Sequence, residues 1–532
     1  MTHLDISLSI LLAICGYIFQ LKRYKIISPD IQNSTVDRYD LVFCFITTAI
    51  VSLYFWLNPF YEISNHYIDY DPAVFIYIGK RISEGLVPYV DIFDHKGLVL
   101  YFIQYLGVSL LPYRYIGVWL LELLNMVVSI YFSVKTVKLL IKDRDIQYLS
   151  VLIVYTIIGG IFYNGGNFTE EFAMSGIAYA LYLFSKAHMR GELSFRDSIY
   201  LGISFSYVFF LRCNMVGVWA VLGLVYIISK ICFKQYTSLK KFIYGGTLGV
   251  MIGVFPILMY CYQTNSLHAM IEAYFIFNLQ YKDALLLDRT TIIKFMLLNM
   301  QIYTFCLIAF YICIKSHKLF LIHFLAFVSN LILCSMSGRP YCHYGMILIP
   351  TLVLVVAGGL QVIKVTMDYQ DILNKKVVKN CVSLVLVVYS ILYTYNYNKD
   401  IGVLGFMDET SNQRTFFEQI VDENRDLVYY LSYNTNYNDD VLILSNFCMY
   451  YLLTDRKTKN KYPFQYPPIS ISTSIYKDFV HEINVKKSDY IINTKYNTEQ
   501  YEYFKKLMLG YMERENYIVE QKKSFDVYKR VK

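Results

Sequence analysis

The chain has 532 residues, of which 56% are hydrophobic and 17% are charged, and its formal net charge is +8 at pH 7. This composition is too apolar for a large soluble protein. The apolar residues lie in runs of roughly 17–25 residues, the length that a helix needs to cross a bilayer. Most lysines and arginines lie in short loops between these runs, as the orientation of membrane helices requires. We therefore expect a polytopic membrane protein that binds no nucleic acid.

The 11 cysteines indicate neither a disulfide framework nor a zinc site. Most of them lie within or beside apolar runs, where a thiol packs as a small hydrophobic group. The sequence has no CxxC motif and no Cys/His spacing that is typical of zinc ligands.

About twelve apolar runs are predicted to span the membrane. The first is short, but no small-residue cleavage site follows it, so it is interpreted as a retained helix and not a signal peptide. The predicted spans cover roughly 5–20, 41–59, 115–134, 147–163, 171–186, 197–211, 214–230, 243–262, 294–314, 319–335, 344–364 and 380–396.

Basic loops predict the orientation of these spans. If the count is correct, the loops that are rich in lysine and arginine all fall on one face, which is then cytoplasmic. They include the segments 22–25, 135–144, 186–196, 230–241, 315–318 and 364–379. The outer face then holds the first long loop (60–114), NGGNFTEE, RCN, the 263–293 loop, SGRPYCHY and the tail.

The first outer loop contains the most polar stretch near the spans, DYDPAVFIYIGKRISEGLVPYVDIFDHKG (69–97). Asp71 is predicted to be the N-cap of an amphipathic helix with Pro72 at its first position. Its apolar stripe favours a helix on the membrane surface, and 98–115 is predicted to form a second one. Asp94, His95 and Lys96 lie at the turn between them. The pattern alone leaves open whether Asp71 is only a helix cap.

The tail, residues 399–532, changes in composition and is predicted to be a small α/β domain. Short apolar runs at 440–445, 489–494 and 525–530 are typical of strands, and helical patterns lie around 411–432, 446–454 and 499–513. Alternation of strands and helices favours an α/β fold. The tail would lie outside the membrane.

Five motifs in chain order give the sequence a resemblance to a known superfamily. They are the first loop with EGLVPY and DIFDHKG, then GGNFTEEFA (165–173), FLRCNMVG (210–217), FNLQY (277–281) and SGRPYCHYGMILIP (337–350). Together they resemble the bacterial GT-C glycosyltransferases, multi-span enzymes related to protein O-mannosyltransferases and aminoarabinose transferases, which use polyprenyl-phosphate sugars as donors. The resemblance covers most of residues 55–350.

This resemblance implies an all-α GT-C-like membrane domain over 1–398 and an extracytoplasmic α/β domain over 399–532. The implied function is transfer of a sugar from a polyprenyl-phosphate donor to a glycan, lipid or protein acceptor at the outer face of the cell membrane, with inversion. A lipid-linked glycan flippase and a cell-surface polysaccharide polymerase or ligase are the alternatives. The sugar and the acceptor stay open.

The resemblance also implies roles for acidic residues. Sugar transfer needs a base that takes the proton of the acceptor hydroxyl, and Asp71 is the residue that corresponds to it. Many relatives carry an Asp-Glu pair where this chain has DYDPA, so Asp69 competes for this role. Asp94 or Glu170 would orient the acceptor. The missing Glu leaves metal binding open, with Mg²⁺ or Mn²⁺ as the option; no cofactor is assigned.

Basic residues on the outer face would bind the donor phosphate, because negative charge develops on the leaving group. Snorkelling toward lipid headgroups is the alternative for the arginines, and a buried core position is the alternative for His343, which follows Arg339 by four residues on a predicted helical turn. The implied phosphate ligands are Lys96, Arg212, Arg339 and His343. The other implied substrate contacts are His95, Glu171, Asn278 and Tyr281, although stabilisation by the helix dipole also accounts for acidic residues at 170 and 171.

Overall fold

The computed structural model describes residues 36–56, 70–283, 288–299, 318–336, 338–339, 341–369, 425–445, 447–495, 497–515 and 517–531. The predicted spans at 5–20 and 380–396, the boundary at 398 and the competing base Asp69 lie outside these residues.

Helices make up most of the described chain before the tail. Two π-helical turns interrupt them at Ile153–Ile158 and Ile271–Ile276, and short 3-10 helices lie at Tyr113–Tyr115, Cys213–Met215 and Cys342–Leu348. The α-helices are α1 Arg38–Phe55, α2 Tyr70–Ser83, α3 Leu98–Leu110, α4 Ile116–Lys138, α5 Arg144–Leu152, α6 Gly160–Tyr163, α7 Thr169–Arg190, α8 Phe195–Phe209, α9 Gly217–Cys232, α10 Tyr236–Gln263, α11 Leu267–Met270, α12 Phe277–Asp283, α13 Arg289–Asn299, α14 Lys318–Ser335 and α15 Ile349–Tyr369.

Five helices in the described part are long and apolar enough to cross a membrane, which confirms a membrane protein. They are α1, α4, α10, α14 and the segment Cys342–Gln361. The predicted spans at 171–186, 197–211 and 214–230 are helical as well, in α7, α8 and α9. The predicted span 147–163 is not one regular helix, because the π-helical turn separates α5 from α6. The total of about twelve stays a prediction.

Acidic and hydroxyl side chains begin several of these helices by capping their first amide groups. The Asp37 side chain accepts hydrogen bonds from the backbone N–H groups of Tyr39 and Asp40 at 2.9 and 3.0 Å, and the N–H of Asp37 donates to the Asp40 side chain at 2.8 Å. This reciprocal arrangement is a capping box. Asp143 caps α5 in the same way through the N–H of Asp145 at 2.9 Å.

The two helices of the first loop form as predicted, but their environment differs. Helix α2 begins at Tyr70, so Asp71 lies in its first turn and is not its N-cap. All side chains from Ala73 to Ile78 are buried, whereas an amphipathic surface helix would bury one face only. Helix α3 packs along α2 closely enough that a Cβ on Gly79 would lie 2.7 Å from the Cβ of Gln104.

The tail contains the predicted α/β domain. Its strands are β1 Val441–Leu444, β2 Tyr490–Thr494, β3 Tyr517–Gln521 and β4 Phe525–Arg530, in the order β1-β2-β4-β3. Strands β1 and β2 are parallel, with Val441 opposite Tyr490, whereas β2–β4 and β3–β4 are antiparallel. The chain between β1 and β2 supplies the crossover that parallel strands need. Its helices are α16 Met449–Thr454, α17 Pro468–Ile471 and α18 Thr473–Lys486; α19 Thr498–Glu515 follows β2.

The chain divides into two compact units, and each is described below by itself. In the described residues, the helical unit consists of 36–56, 122–257, 288–299, 318–336, 338–339 and 341–369. The loop unit consists of 70–121, 258–283 and the tail. Within the loop unit, the first loop packs on the tail: the rings of Tyr77 and Tyr451 stack with centroids 4.8 Å apart, and the N–H of Phe93 donates to the carbonyl of Lys461 at 2.7 Å.

The close approach of α2 and α3 generates a stability prediction. Gly79→Ala should lower the free energy of unfolding by about 1–3 kcal/mol, because overpacking forces the two helices apart. Thermal unfolding of the detergent-solubilised protein measures this change.

The matched control is Gly510→Ala in α19 of the same unit, where a new Cβ would meet nothing within 4 Å. Since alanine favours a helix over glycine by up to about 1 kcal/mol, this variant should be neutral or stabilised. Equal stabilisation by both changes would contradict the tight helix contact.

Candidate active site

Five residues of the loop unit form the first-loop cluster: Asp71, Asp94, His95, Lys96 and Tyr101. The Lys96 ammonium lies 3.6 Å from Asp71 Oδ2 and 3.3 Å from His95 Nε2. The other ring nitrogen of His95, Nδ1, lies 3.2 Å from Asp94 Oδ1. A continuous polar chain therefore runs from Asp94 through His95 and Lys96 to Asp71, and it brings together four of the predicted site residues.

Two buried tyrosines hold the backbone at Lys96. The N–H of Lys96 donates to the Tyr101 oxygen at 3.0 Å, and Tyr101 in turn donates its hydroxyl to Asp94 Oδ2 at 2.9 Å. The Tyr89 hydroxyl donates to the carbonyl of Lys96 at 2.7 Å. Tyr89 itself has a φ of 68°, in the left-handed region that costs most side chains energy. These hydrogen bonds fix the backbone position from which the Lys96 side chain extends.

Both predicted residues of the FNLQY motif contact His95. Asn278 at the start of α12 donates its side-chain amide to the carbonyl of His95 at 2.8 Å and to that of Tyr274 at 2.7 Å. The Tyr281 ring, one turn later, stacks on the imidazole of His95 with centroids 5.2 Å apart. The motif therefore positions His95 from both its backbone and its ring.

Burial differs sharply along the first-loop cluster. The side chains of Asp94 and Lys96 are 2% and 8% exposed, whereas that of Asp71 is 41% exposed. Burial disfavours the charged form of Asp94, but the Lys96 ammonium and the hydrogen bonds from His95 outweigh it and hold the pKa of this carboxyl well below its usual range. Within the loop unit, Asp71 is thus the acidic member of the cluster that an outside molecule can reach.

The helical unit contains a second group, the arginine cluster, formed by Glu170, Arg212 and Tyr344. Arg212 Nη1 forms an ion pair with Glu170, and Nη2 donates to the Tyr344 hydroxyl at 3.0 Å. The guanidinium also lies over the Tyr344 ring, 4.4 Å from its centroid. Three motifs, GGNFTEEFA, FLRCNMVG and SGRPYCHY, therefore meet in one cluster. These contacts use only two of the five donors of the guanidinium.

The NGGN segment shapes the start of α7 through its backbone. All four residues, Asn164 to Asn167, have positive φ angles between 47° and 94°. Glycine and asparagine tolerate this left-handed conformation better than other residues. The turn directs the N–H of Asn167 at the carboxyl groups of both Glu171, at 3.0 Å, and Glu122. Glu171 is therefore held inside the helical unit with Glu122, a residue that the sequence places in a span.

Arg339 and His343 do not share a helical turn. Arg339 lies in an irregular segment before the 3-10 helix Cys342–Leu348, so the four-residue spacing does not place them on one face of an α-helix. Both are buried. The His343 ring stacks on Phe168 with centroids 4.2 Å apart and meets the Tyr344 ring edge-on at 4.8 Å. His343 is thus packed among aromatic rings beside the arginine cluster.

The sequence did not indicate Tyr89, Tyr101 or Tyr344, although all three donate to or accept from site residues. They are three of the 53 tyrosines of the chain, so residue type alone carries no signal. Within the described residues, no group of three or more His, Cys, Asp or Glu is arranged to hold a metal ion.

Comparison with solved structures identifies the fold. Two crystal structures of ArnT from Cupriavidus metallidurans match the chain, each with a TM-score of 0.57 and 10% sequence identity. The match to the structure bound to undecaprenyl phosphate spans 93% of this chain and 97% of the ArnT chain. The match to the apo structure spans 92% of this chain and 98% of the ArnT chain. No protein-family model and no curated protein matches the sequence. The comparison therefore confirms the predicted GT-C-like fold.

The low pKa of Asp94 generates a pH prediction. A carboxyl whose folded-state pKa lies below its unfolded value of about 3.9 stabilises the fold above that pH, and this contribution is lost as the pH falls further. The difference in melting temperature between the wild type and Asp94→Asn should therefore be large at pH 6 and shrink below about pH 4.

Asp91→Asn is the matched control, because Asp91 is exposed in the same loop. It should melt close to the wild type throughout this range. A difference for Asp94→Asn that does not change between pH 6 and pH 3 would show that its ionised form does not stabilise the fold.

Proposed function

We propose that this protein is a membrane glycosyltransferase that moves a sugar from a polyprenyl-phosphate donor to a cell-surface acceptor at the outer face of the membrane. The ArnT-like fold supports this class of enzyme, and one of the two ArnT structures holds undecaprenyl phosphate, a lipid of the kind that such a donor would release. The tail and the first loop are extracytoplasmic in this proposal.

The observation that carries the proposal is the half-exposed carboxylate of Asp71, 3.6 Å from a buried ammonium that is itself fixed by the first-loop cluster. A general base has to be reachable by the hydroxyl that it deprotonates. Its supporting groups have to be held in place, and burial with hydrogen bonds does this for Asp94, His95 and Lys96.

The reaction would be a single displacement with inversion at the anomeric carbon. The acceptor oxygen forms a bond to this carbon as the bond to the phosphate oxygen breaks. The proton of the acceptor hydroxyl passes to Asp71, and the electron pair of the broken bond leaves with the lipid phosphate. The phosphate gains negative charge in the transition state, so nearby cations lower the barrier.

Lys96 is the cation that can act on both groups. Its ammonium faces the Asp71 carboxylate. A donor phosphate near the ammonium would share this positive charge and leave Asp71 freer to accept a proton. Lys96 would in this way link donor binding to activation of the base.

Within the helical unit, Arg212 is the residue that we propose as a ligand of the donor phosphate. Its ion pair with Glu170 and its bond to Tyr344 orient the guanidinium plane and leave other N–H groups for an oxygen ligand. A planar guanidinium can bind phosphate through two parallel hydrogen bonds. Glu170 would then position Arg212. Arg339 and His343 stay proposed phosphate ligands, and Glu171 stays a proposed substrate contact.

The first activity prediction concerns Asp71. Asp71→Asn should lower the turnover of labelled polyprenyl-phosphate sugars in membranes by about 10²- to 10⁴-fold, because an amide cannot accept the proton. The assay supplies a panel of donors, so the donor that the wild type uses also identifies the sugar.

Asp91→Asn, an exposed carboxyl in the same loop, should keep wild-type turnover. Asp69→Asn tests the competing base. Full activity of Asp71→Asn together with loss in Asp69→Asn would transfer the role to Asp69. Movement of labelled lipid across the bilayer without any transfer would contradict the enzyme and favour a flippase.

The second activity prediction concerns Arg212. Arg212→Gln should raise the KM for the donor by about ten- to a hundredfold, the effect of losing a hydrogen bond from a charged donor. The double variant Arg212→Gln/Glu170→Gln leaves no unpaired carboxylate and should fold, yet it should have the same donor defect.

Arg196→Gln is the control for general loss of an arginine, since Arg196 is exposed and bonds Tyr200. An unchanged donor KM in both Arg212 variants would make the arginine cluster a purely structural element of the helical unit.

A further inference from the structure

A cleft of about 330 Å³ lies in the helical unit, and none of its lining residues belongs to either cluster described above. It is formed where the C-terminal parts of α7 and α9 meet α14. The basic loops that follow α7 and α9 belong to the predicted cytoplasmic face. The residues on which the inference depends are Phe184, Leu222, Val225, Tyr226, Lys230 and Ile322.

Lys230 is a buried cation on the wall of this cleft, with 6% of the residue exposed. Its ammonium donates to the carbonyl of Gly191, which ends α7, and to Gln235 Oε1 at 2.5 Å. It also lies 5.1 Å from the centroid of the Tyr226 ring. These contacts hold the ammonium in place at the cleft.

The positive charge of Lys230 is not neutralised by these contacts. The carbonyl of Gly191 and the amide of Gln235 are uncharged, and no carboxylate of the described residues lies within 4 Å of the ammonium. Other buried lysines differ: Lys138 pairs with Asp40, and Lys96 lies beside Asp71. The Glu192 carboxylate attracts this ammonium electrostatically, but it forms no ion pair with it and is itself bound by Ser238 and Lys241. A buried cation without a direct anionic partner costs free energy, so the cleft is suited to an anionic ligand.

The rest of the wall combines the polar side chains of His188, Ser229 and Gln235 with an apolar part. Phe184, Leu222, Val225 and Ile322 contribute hydrocarbon or ring surface, and Tyr226 directs its hydroxyl away to accept the N–H of Leu193 at 2.9 Å. A fully hydrated ion gains nothing from the apolar part. A ligand with one anionic group and a hydrocarbon part fits both features.

We propose that this cleft binds an anionic phospholipid of the surrounding membrane, with its phosphate on Lys230 and its glycerol and first acyl carbons along the apolar wall. The volume corresponds to roughly ten water-sized groups of about 30 Å³ each, enough for this portion of a lipid. Basic sites between helices at the cytoplasmic surface are suited to such headgroups. The site is separate from the proposed donor site in both residues and chemistry.

Native mass spectrometry of the detergent-purified full chain with added phosphatidylglycerol tests the proposal. The wild type should retain one lipid that phosphatidylcholine of the same acyl chains does not replace. Lys230→Met should weaken this binding by about ten- to a hundredfold, because it removes a charge-assisted bond to the phosphate. Val225→Trp keeps Lys230 and its partners but fills the cleft, and it should lose the lipid as well.

Lys240→Met is the control: Lys240 is an exposed residue of α10 and does not line the cleft. This variant should bind phosphatidylglycerol like the wild type. Undiminished binding to Lys230→Met or to Val225→Trp would overturn the proposal. So would equal retention of phosphatidylcholine, because the cleft would then not select charge. Displacement of the lipid by millimolar inorganic phosphate would reduce the site to an ion site and overturn the lipid assignment.

Discussion

The buried carboxylate of Asp94 is the group on which the first-loop cluster depends. An ionised carboxyl that is removed from water is costly unless charges and hydrogen bonds replace the water. Here Tyr101, His95 and Lys96 supply that replacement. Because the Asp94 carboxylate needs these partners, it holds the His95 imidazole, the Lys96 ammonium and the loop backbone in place. The FNLQY motif adds further contacts to His95.

The same constraint organises the helical unit, where water is scarcer still. Asp40 at the start of α1 is fully buried, and it is bound by the ammonium of Lys138 and by the hydroxyl of Tyr148 at 2.9 Å. The arginine cluster follows the same rule through Glu170. Each of these polar contacts joins segments that are distant in sequence, so they restrict sliding of the helices that apolar packing alone would allow. Lys230 differs from these groups, because no carboxylate of the described residues lies within 4 Å of its ammonium.

The sequence predicted the architecture well where periodicity or composition is strong. The runs at 440–445, 489–494 and 525–530 contain the strands β1, β2 and β4, whose apolar residues are buried. Strand Tyr517–Gln521 was missed, since four of its five residues are exposed and give no apolar signal.

For the site, the motifs correctly indicated Asn278 and Tyr281, which contact His95, but they did not indicate Tyr101. The hydrogen bond from Tyr101 to Asp94 depends on the geometry with which the loop leads into α3, and this geometry cannot be predicted from one sequence. Asp71 is not the expected N-cap, because Tyr70 before it is already helical.

The exposure gradient along the first-loop cluster has a chemical consequence. A base that is as buried as Asp94 would be out of reach of an acceptor, and a base without neighbours would be mobile. Asp71 lies between these extremes: it is 41% exposed, yet the Lys96 ammonium lies 3.6 Å from one of its oxygens. That ammonium cannot retreat, because its backbone is held by two tyrosines and its tip faces a buried imidazole. Any anion that competes for Lys96 must therefore approach Asp71 itself. In the proposed reaction, the donor phosphate and the base would thus be coupled by geometry, whichever sugar the lipid carries.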